Sequence, residues 1–159
     1  VFFLCVFSFG LWGCDTPNSI LVFYPEYFIA QGQPDTQKVN TAYQKAIDEI
    51  IKEDHYEFLE DIIIVFGDIA LSPAEKARTE GPDALKQYSE KHDCGMIIYA
   101  EISGPGEIPF CHAKLNMYIP NSGHIVHQSE NVLMDYETFY STPFWKTQFH
   151  KILIKLKGL

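Results

Sequence analysis

Ser19 to Tyr24 is a short, continuous apolar run stopped by Pro25, the pattern of a strand buried on both faces. The next stretch, Pro25 to Gln37, contains Gly32 and Pro34 and predicts a loop. From Val39 onward the apolar positions Val39, Tyr43, Ala46, Ile47, Ile50 and Ile51 recur at helical spacing. Lys45, Asp48, Glu49 and Lys52 fall between them, so a first helix packs one stripe on a sheet. The β-branched run Ile62 to Phe66, ended by Gly67, predicts a strand at the centre of that sheet. Ser72-Pro73-Ala74-Glu75 reads as a helix start, with Ser72 as N-cap, proline at the first helical position and an acidic side chain at the positive end of the dipole. A second start follows at Pro82-Asp83, with Leu85, Tyr88 and Ser89 on the inner side.

Gly95 to Ile102 is another apolar strand-like run, and residues 111 to 119 alternate. Ala113, Leu115, Met117 and Ile119 share one face, and Lys114, Asn116 and Tyr118 share the other. Pro120-Asn121-Ser122-Gly123 is turn chemistry, so His124 to Leu133 returns as the second strand of a hairpin. Ser141-Thr142-Pro143 then opens a terminal helix with Trp145, Phe149, Ile152 and Leu156 on one side and Lys146, Lys151, Lys155 and Lys157 on others. The element order predicts an α/β fold, a mixed β-sheet of about five strands with helices packed on it, formed by residues 19–159 as a single domain.

Residues 1–13 do not fit that domain so readily, being uncharged and almost wholly apolar up to Gly13. They are too short to span a bilayer as a helix, and either a buried element or the apolar part of a signal peptide has this composition. Leu11-Trp12-Gly13-Cys14 favours the second reading, because it resembles the lipobox of bacterial lipoproteins, with Trp12 where that pattern has a small residue. The resemblance implies that Cys14 becomes the acylated N-terminus, palmitate being one such acyl group. Residues 14–18 would form the tether, with Asp15 directly after the lipidated cysteine.

All of the formal charge of −9 lies after residue 13, so the mature part is acidic and would repel nucleic acid. Of the four cysteines, Cys5 and Cys14 belong to the leader. Cys94 and Cys111 open the two strand-like runs on either side of the 103–110 loop. If those runs pair antiparallel, the two thiols sit about 25 Å apart at ~3.3 Å per residue, beyond the reach of a disulfide.

The remaining chemistry is sparse. Cys111-His112 and His124-x-x-His127 fall in the predicted hairpin, but residues three apart on a strand face opposite ways, and pairing puts His127 opposite Asn116 and His112 near Asn131. No metal and no cofactor is expected. Glu53, Asp54, Glu57, Glu60, Asp61 and Asp68 flank the second strand; paired carboxylates hydrolyse glycans, whereas a run of them is ordinarily a solvated helix end. Gly67-Asp68 lacks the histidine-bearing partner motifs of metallophosphatases, and no nucleophile elbow or phosphate-binding loop is present.

From Leu85 the chain resembles the amino-terminal domain of TolB and its relatives, a fold shared loosely with curli-type and exopolysaccharide-export envelope lipoproteins. The stretches that carry the likeness are Leu85 to Asp93, Cys94 to Ile102, Ala113 to Val132 with its Asn121-Ser122-Gly123 turn, and Phe144 to Gly158. The resemblance implies a protein-interaction or assembly module with no active site to carry over.

The function expected is therefore a lipid-anchored, non-enzymatic accessory subunit of a cell-envelope complex, facing the periplasm. Its partners would be envelope proteins or further copies of itself, and the membrane through the anchor. A periplasmic ligand- or glycan-binding lipoprotein is the alternative, with Tyr24, Tyr27, Phe28, Tyr136, Phe139 and Tyr140 lining a groove. An enzyme acting on envelope sugars is the third reading. In either of the first two, the aromatic loop residues Tyr27, Phe28, Tyr136, Phe139 and Tyr140 are the candidate contacts.

Overall fold

The computed structural model describes residues 19–30, 32–53, 63–104, 110–133 and 136–157. The leader, Cys14, the 15–18 tether and the carboxylates Asp54, Glu57, Glu60 and Asp61 lie outside the described residues. So do Ile62, which opened the second predicted strand, most of the 103–110 loop and Gly158.

Strand β1 (Ser19–Val22) begins the described chain, and Phe23 continues its bonding by donating its N–H to the Ile98 carbonyl at 2.8 Å. Pro25 has no N–H to offer and interrupts the line. The chain then resumes as β2 (Glu26–Ile29), where a loop was expected. Tyr27, Phe28 and Ile29 carry enough β preference to extend, and β2 finds a place because β4 (Met96–Gly104) is longer than β1. β1 pairs parallel with residues 96–98 of β4 and β2 with residues 101–104, so the two short strands lie end to end along one edge of it.

Helix α1 (Thr36–Ile51) starts three residues before the expected Val39 because Asp35 is its N-cap. One Asp35 carboxylate oxygen accepts the N–H groups of Gln37 at 3.1 Å and Lys38 at 3.2 Å. Val39, Tyr43, Ala46, Ile47 and Ile50 are buried as the spacing required. Strand β3 (Ile63–Phe66) follows, and it is an edge strand rather than a central one. β-Branching favours extended backbone but does not fix a strand's place in the sheet. The α1 crossover returns the chain to the far side of β1, leaving Ile63 65% and Val65 42% exposed.

After a 3-10 turn (Ile69–Leu71) come α2 (Pro73–Glu80) and α3 (Asp83–His92), then β4, β5 (Phe110–Ile119), β6 (His124–Leu133), a second 3-10 turn (Glu137–Tyr140) and α4 (Thr142–Lys157). The described residues thus form six strands in the order β3-β1-β4-β5-β6, with β2 beside β4, in a mixed sheet covered by helices. The hairpin register is the expected one, with Asn116 opposite His127 and His112 opposite Asn131. Antiparallel pairing of β4 with β5 sets Cys94 and Cys111 at opposite ends, and both are free and buried.

The sheet divides two cores. On one face α1 and α4 bury Ile20, Val22, Ile98, Ala100, Leu115 and Met117, with Trp145, Phe149 and Ile152 of α4 filling the layer. On the other, α2 and α3 cover Leu21, Phe23, Ile97, Tyr99 and Tyr118. Tyr118 and Asn116 fall on the polar face of the β5 alternation, yet each is only 1% exposed. The face opposite Ala113, Leu115 and Met117 is therefore covered at one end.

Gly67 follows β3 where the backbone passes directly over the buried Phe23 ring, and a Cβ built there would lie 2.3 Å from a ring carbon. Gly67→Ala should lower the unfolding free energy by about 1–3 kcal/mol through this overlap. A urea titration checks this, and an unchanged midpoint would show that the ring can move aside.

Candidate functional site

The parallel strands run toward one pole of the molecule, and Tyr136, Phe139 and Tyr140 of the expected aromatic residues gather there on the α1–α4 side. The backbone between β2 and α1 would otherwise be a free loop; two phenols tie it down. Tyr136 donates its hydroxyl to the Gly32 carbonyl at 3.1 Å, and the Tyr140 oxygen accepts the Asp35 N–H at 2.9 Å. Phe139 between them is fully buried, stacked edge-on to Phe144 at 5.7 Å, and its carbonyl takes the Trp145 indole N–H at 2.9 Å. Trp145 in turn meets Tyr43 of α1 edge-on at 5.1 Å. Phe139 is thus a core residue, and Tyr136 and Tyr140 are half-buried anchors.

Between these anchors and the first turns of α1 lies an open depression of about 580 Å³, lined by Asp35, Lys38, Thr41, Lys45, Tyr140 and Thr142 among others. Lys38 extends over the Tyr140 ring at 5.3 Å, and Thr142 begins α4. Tyr140 is its one aromatic lining residue, and Lys38 and Lys45 beside it are exposed.

Tyr27 and Phe28 do not join one patch, because successive residues of β2 face opposite sides of the sheet. Tyr27 packs on the α1–α4 core with its hydroxyl buried and without a partner, and burial raises its phenol well above the ordinary value. Phe28 packs on the other core beneath Arg78, whose guanidinium stands 3.9 Å above the ring. Tyr24 stacks on Phe66 at 5.0 Å and donates to Gln44 at 2.9 Å.

Several groups capable of acid, base or nucleophilic chemistry hold the fold together. Ser72 was expected to cap α2; instead it adopts left-handed backbone (φ 44°, ψ 62°), and its side chain caps nothing. Glu26 does so from β2, its two carboxylate oxygens accepting the N–H groups of Ala74 at 2.6 Å and Glu75 at 3.2 Å. Glu101, 5% exposed in β4, meets Arg78 at 2.8 Å and Lys114 at 3.3 Å. Glu53 pairs with Lys146 and with His150, and Asp68 accepts the Ala70 N–H at 2.9 Å. His112 bonds Asn131 at 3.1 Å. Among the described residues no three His, Cys, Asp or Glu side chains are arranged to hold a metal ion. Glu26, Arg78 and Glu101 escape sequence reasoning because their partners are distant in the chain. A lone glutamate inside the apolar run 96–102 is the one available signal.

No family model and no curated protein matches the chain. Among solved structures it is similar to the C-terminal domain of LpoB from Escherichia coli, at 10% identity and TM-score 0.46, covering 78% of this chain and 88% of that one. It is also similar to lipoprotein GNA1162 from Neisseria meningitidis, at 11% identity and TM-score 0.41, covering 89% and 94% respectively. The PelC dodecamer from Paraburkholderia phytofirmans gives 9% identity and TM-score 0.40, with 86% and 84% covered. At these levels no functional residue transfers to this chain.

Tyr136→Phe and Tyr140→Phe should each cost about 1 kcal/mol and together speed amide exchange in residues 32–38, since each phenol satisfies a backbone group. Unchanged exchange in the double variant would show that the loop is held by packing alone. Burial raises both the Cys94 and the Cys111 thiol above the ordinary value. Neither should react with iodoacetamide at neutral pH in the folded protein, and both should react in denaturant. Mass spectrometry of the alkylated protein reads the outcome.

Proposed function

We propose that this chain is a lipid-anchored, non-enzymatic accessory or assembly subunit of a bacterial cell-envelope complex, facing the periplasm and acting through protein contact. The observation that carries the reading is the spacing between Cys14 of the lipobox-like Leu11-Trp12-Gly13-Cys14 and the first residue of β1, Ser19. With Cys14 acylated, covalent geometry keeps Ser19 within about 18 Å of the lipid-bearing residue. The starts of β1, β3 and β4 and the 120–123 turn then form the membrane-side pole. The opposite pole, with the depression beside Tyr140, is turned outward.

An outward pole built of anchored loops suits recognition, and the carboxylates and thiols described above are engaged in capping, ion pairs or the core. The acidic chain disfavours nucleic acid as partner. A further copy of the chain is the other protein partner such a surface admits. The size of the depression and the Tyr140 ring favour one second reading, a binding site for a soluble ligand or glycan.

The test is made on protein extracted from its native membrane. Its first peptide should begin at Cys14 and carry a lipid mass. Lys38→Glu combined with Lys45→Glu should reduce the yield of cross-linked partner severalfold while shifting stability by no more than about 0.5 kcal/mol. Lys52→Glu, at the membrane-side end of α1, serves as the control and should leave the yield unchanged. An unlipidated terminus before Cys14 would sink the anchor, and equal loss in the Lys52 variant would sink the outward contact surface.

A further inference from the structure

The two helical layers are held to the sheet in different ways. α1 alone buries six side chains, whereas α2 buries only Pro73 and Ala74, and α3 only Leu85 and Ser89. Leu85 is the one large, fully buried apolar side chain that this layer contributes. Ala77 adds a partly buried contact, and the directed interactions that hold α2 come from the sheet: Glu26 on the N–H groups of Ala74 and Glu75, Glu101 on Arg78, and Phe28 beneath the Arg78 guanidinium.

Both ends of the layer carry non-glycine residues in left-handed backbone, Ser72 at φ 44° and Asp93 at φ 49°. L-residues enter that region at a cost in energy, so the two ends are places where a change of backbone angle relieves strain. The Asp93 carbonyl is fixed to the sheet by the Ser19 hydroxyl at 2.8 Å, which makes it a pivot. Within the layer only Gly81 and Pro82 join the two helices, and the Tyr88 hydroxyl of α3 holds the closed layer by donating to the Leu71 carbonyl, on the fixed side of Ser72, at 2.7 Å.

We propose that α2 and α3 form a flap, pivoting at Ser72 and Asp93, which opens as one unit while the sheet, α1 and α4 stay folded, and that the Glu26 carboxylate is its latch. Opening uncovers Leu21, Phe23, Ile97, Tyr99 and Tyr118, an apolar face that the closed form hides. The latch is finely held. Burial raises the Glu26 carboxyl above its ordinary value, the two backbone hydrogen bonds lower it, and Glu75 and Glu101 raise it again. Arg78 of α2 and Lys114 of β5 face the same cluster through Glu101. Segments with few buried contacts and locally held ends are those that open below the global unfolding energy.

Hydrogen–deuterium exchange of the full chain, read by peptide mass, tests this. Peptides from residues 73–92 should exchange at least tenfold faster than those from α1 and α4. Glu26→Ala should accelerate exchange in 73–92 about tenfold further and leave α1, α4 and β5 unchanged. Glu26→Gln, which keeps one acceptor oxygen, should fall between, and Arg78→Ala should act in the same segment. Equal protection of 73–92 with α1 and α4 would overturn the proposal. So would a Glu26→Gln variant whose exchange rises evenly along the whole chain.

Discussion

Strand β4 imposes the constraint on which the rest of the structure depends. Residues 96–102 are buried on both faces, and neighbours pair along both edges. Met96, Ile98, Ala100 and Ile102 require cover on one side, which α1 and α4 supply; Ile97 and Tyr99 require it on the other, which α2 and α3 supply. Removing this apolar surface from water is the main gain available to a domain of this size. One residue conflicts with it. Glu101 places a carboxylate in the same strand, and a charge there must be paired, which is why a β5 lysine and an α2 arginine converge on it.

The asymmetry of the two helical layers follows. α1 and α4 are long, pack on each other through Tyr43, Trp145 and Phe149, and lay a continuous aromatic seam over the sheet. α2 is eight residues long and mostly polar, so it adds little apolar area and relies on directed interactions. The aromatic residues near the pole where the parallel strands end serve the thicker layer, tying the β2–α1 connection to the start of α4 through two phenols.

The helix faces and the hairpin could be read from the sequence because their signal is local. Spacing along α1 and α4 named the buried stripes, and Asn121-Ser122-Gly123 fixed the register that brought Asn116 opposite His127. The place of β3 was not legible, since an isoleucine-rich run looks the same at an edge as in the middle. β2 was hidden by Pro25, whose usual meaning is an end of structure and which here only separates two strands sharing the edge of β4. For the candidate site, the sequence marks the aromatic residues but not their division, because two adjacent aromatics carry no sign of strand or loop, and only β2 sends Tyr27 and Phe28 to opposite faces. Ser72 looked like a cap by every local rule, and the true cap came from residue 26, a relation no window of sequence contains.

That distant cap bears on the order in which the chain can acquire structure. β2 is held in place by β4, which is synthesised after α2, so Glu26 is positioned to receive the Ala74 and Glu75 amides only once residues 101–104 have arrived. An eight-residue helix without a local cap has little persistence in water. α2 therefore belongs to the late part of folding, consolidating behind the long-range pairing of β4 instead of nucleating it.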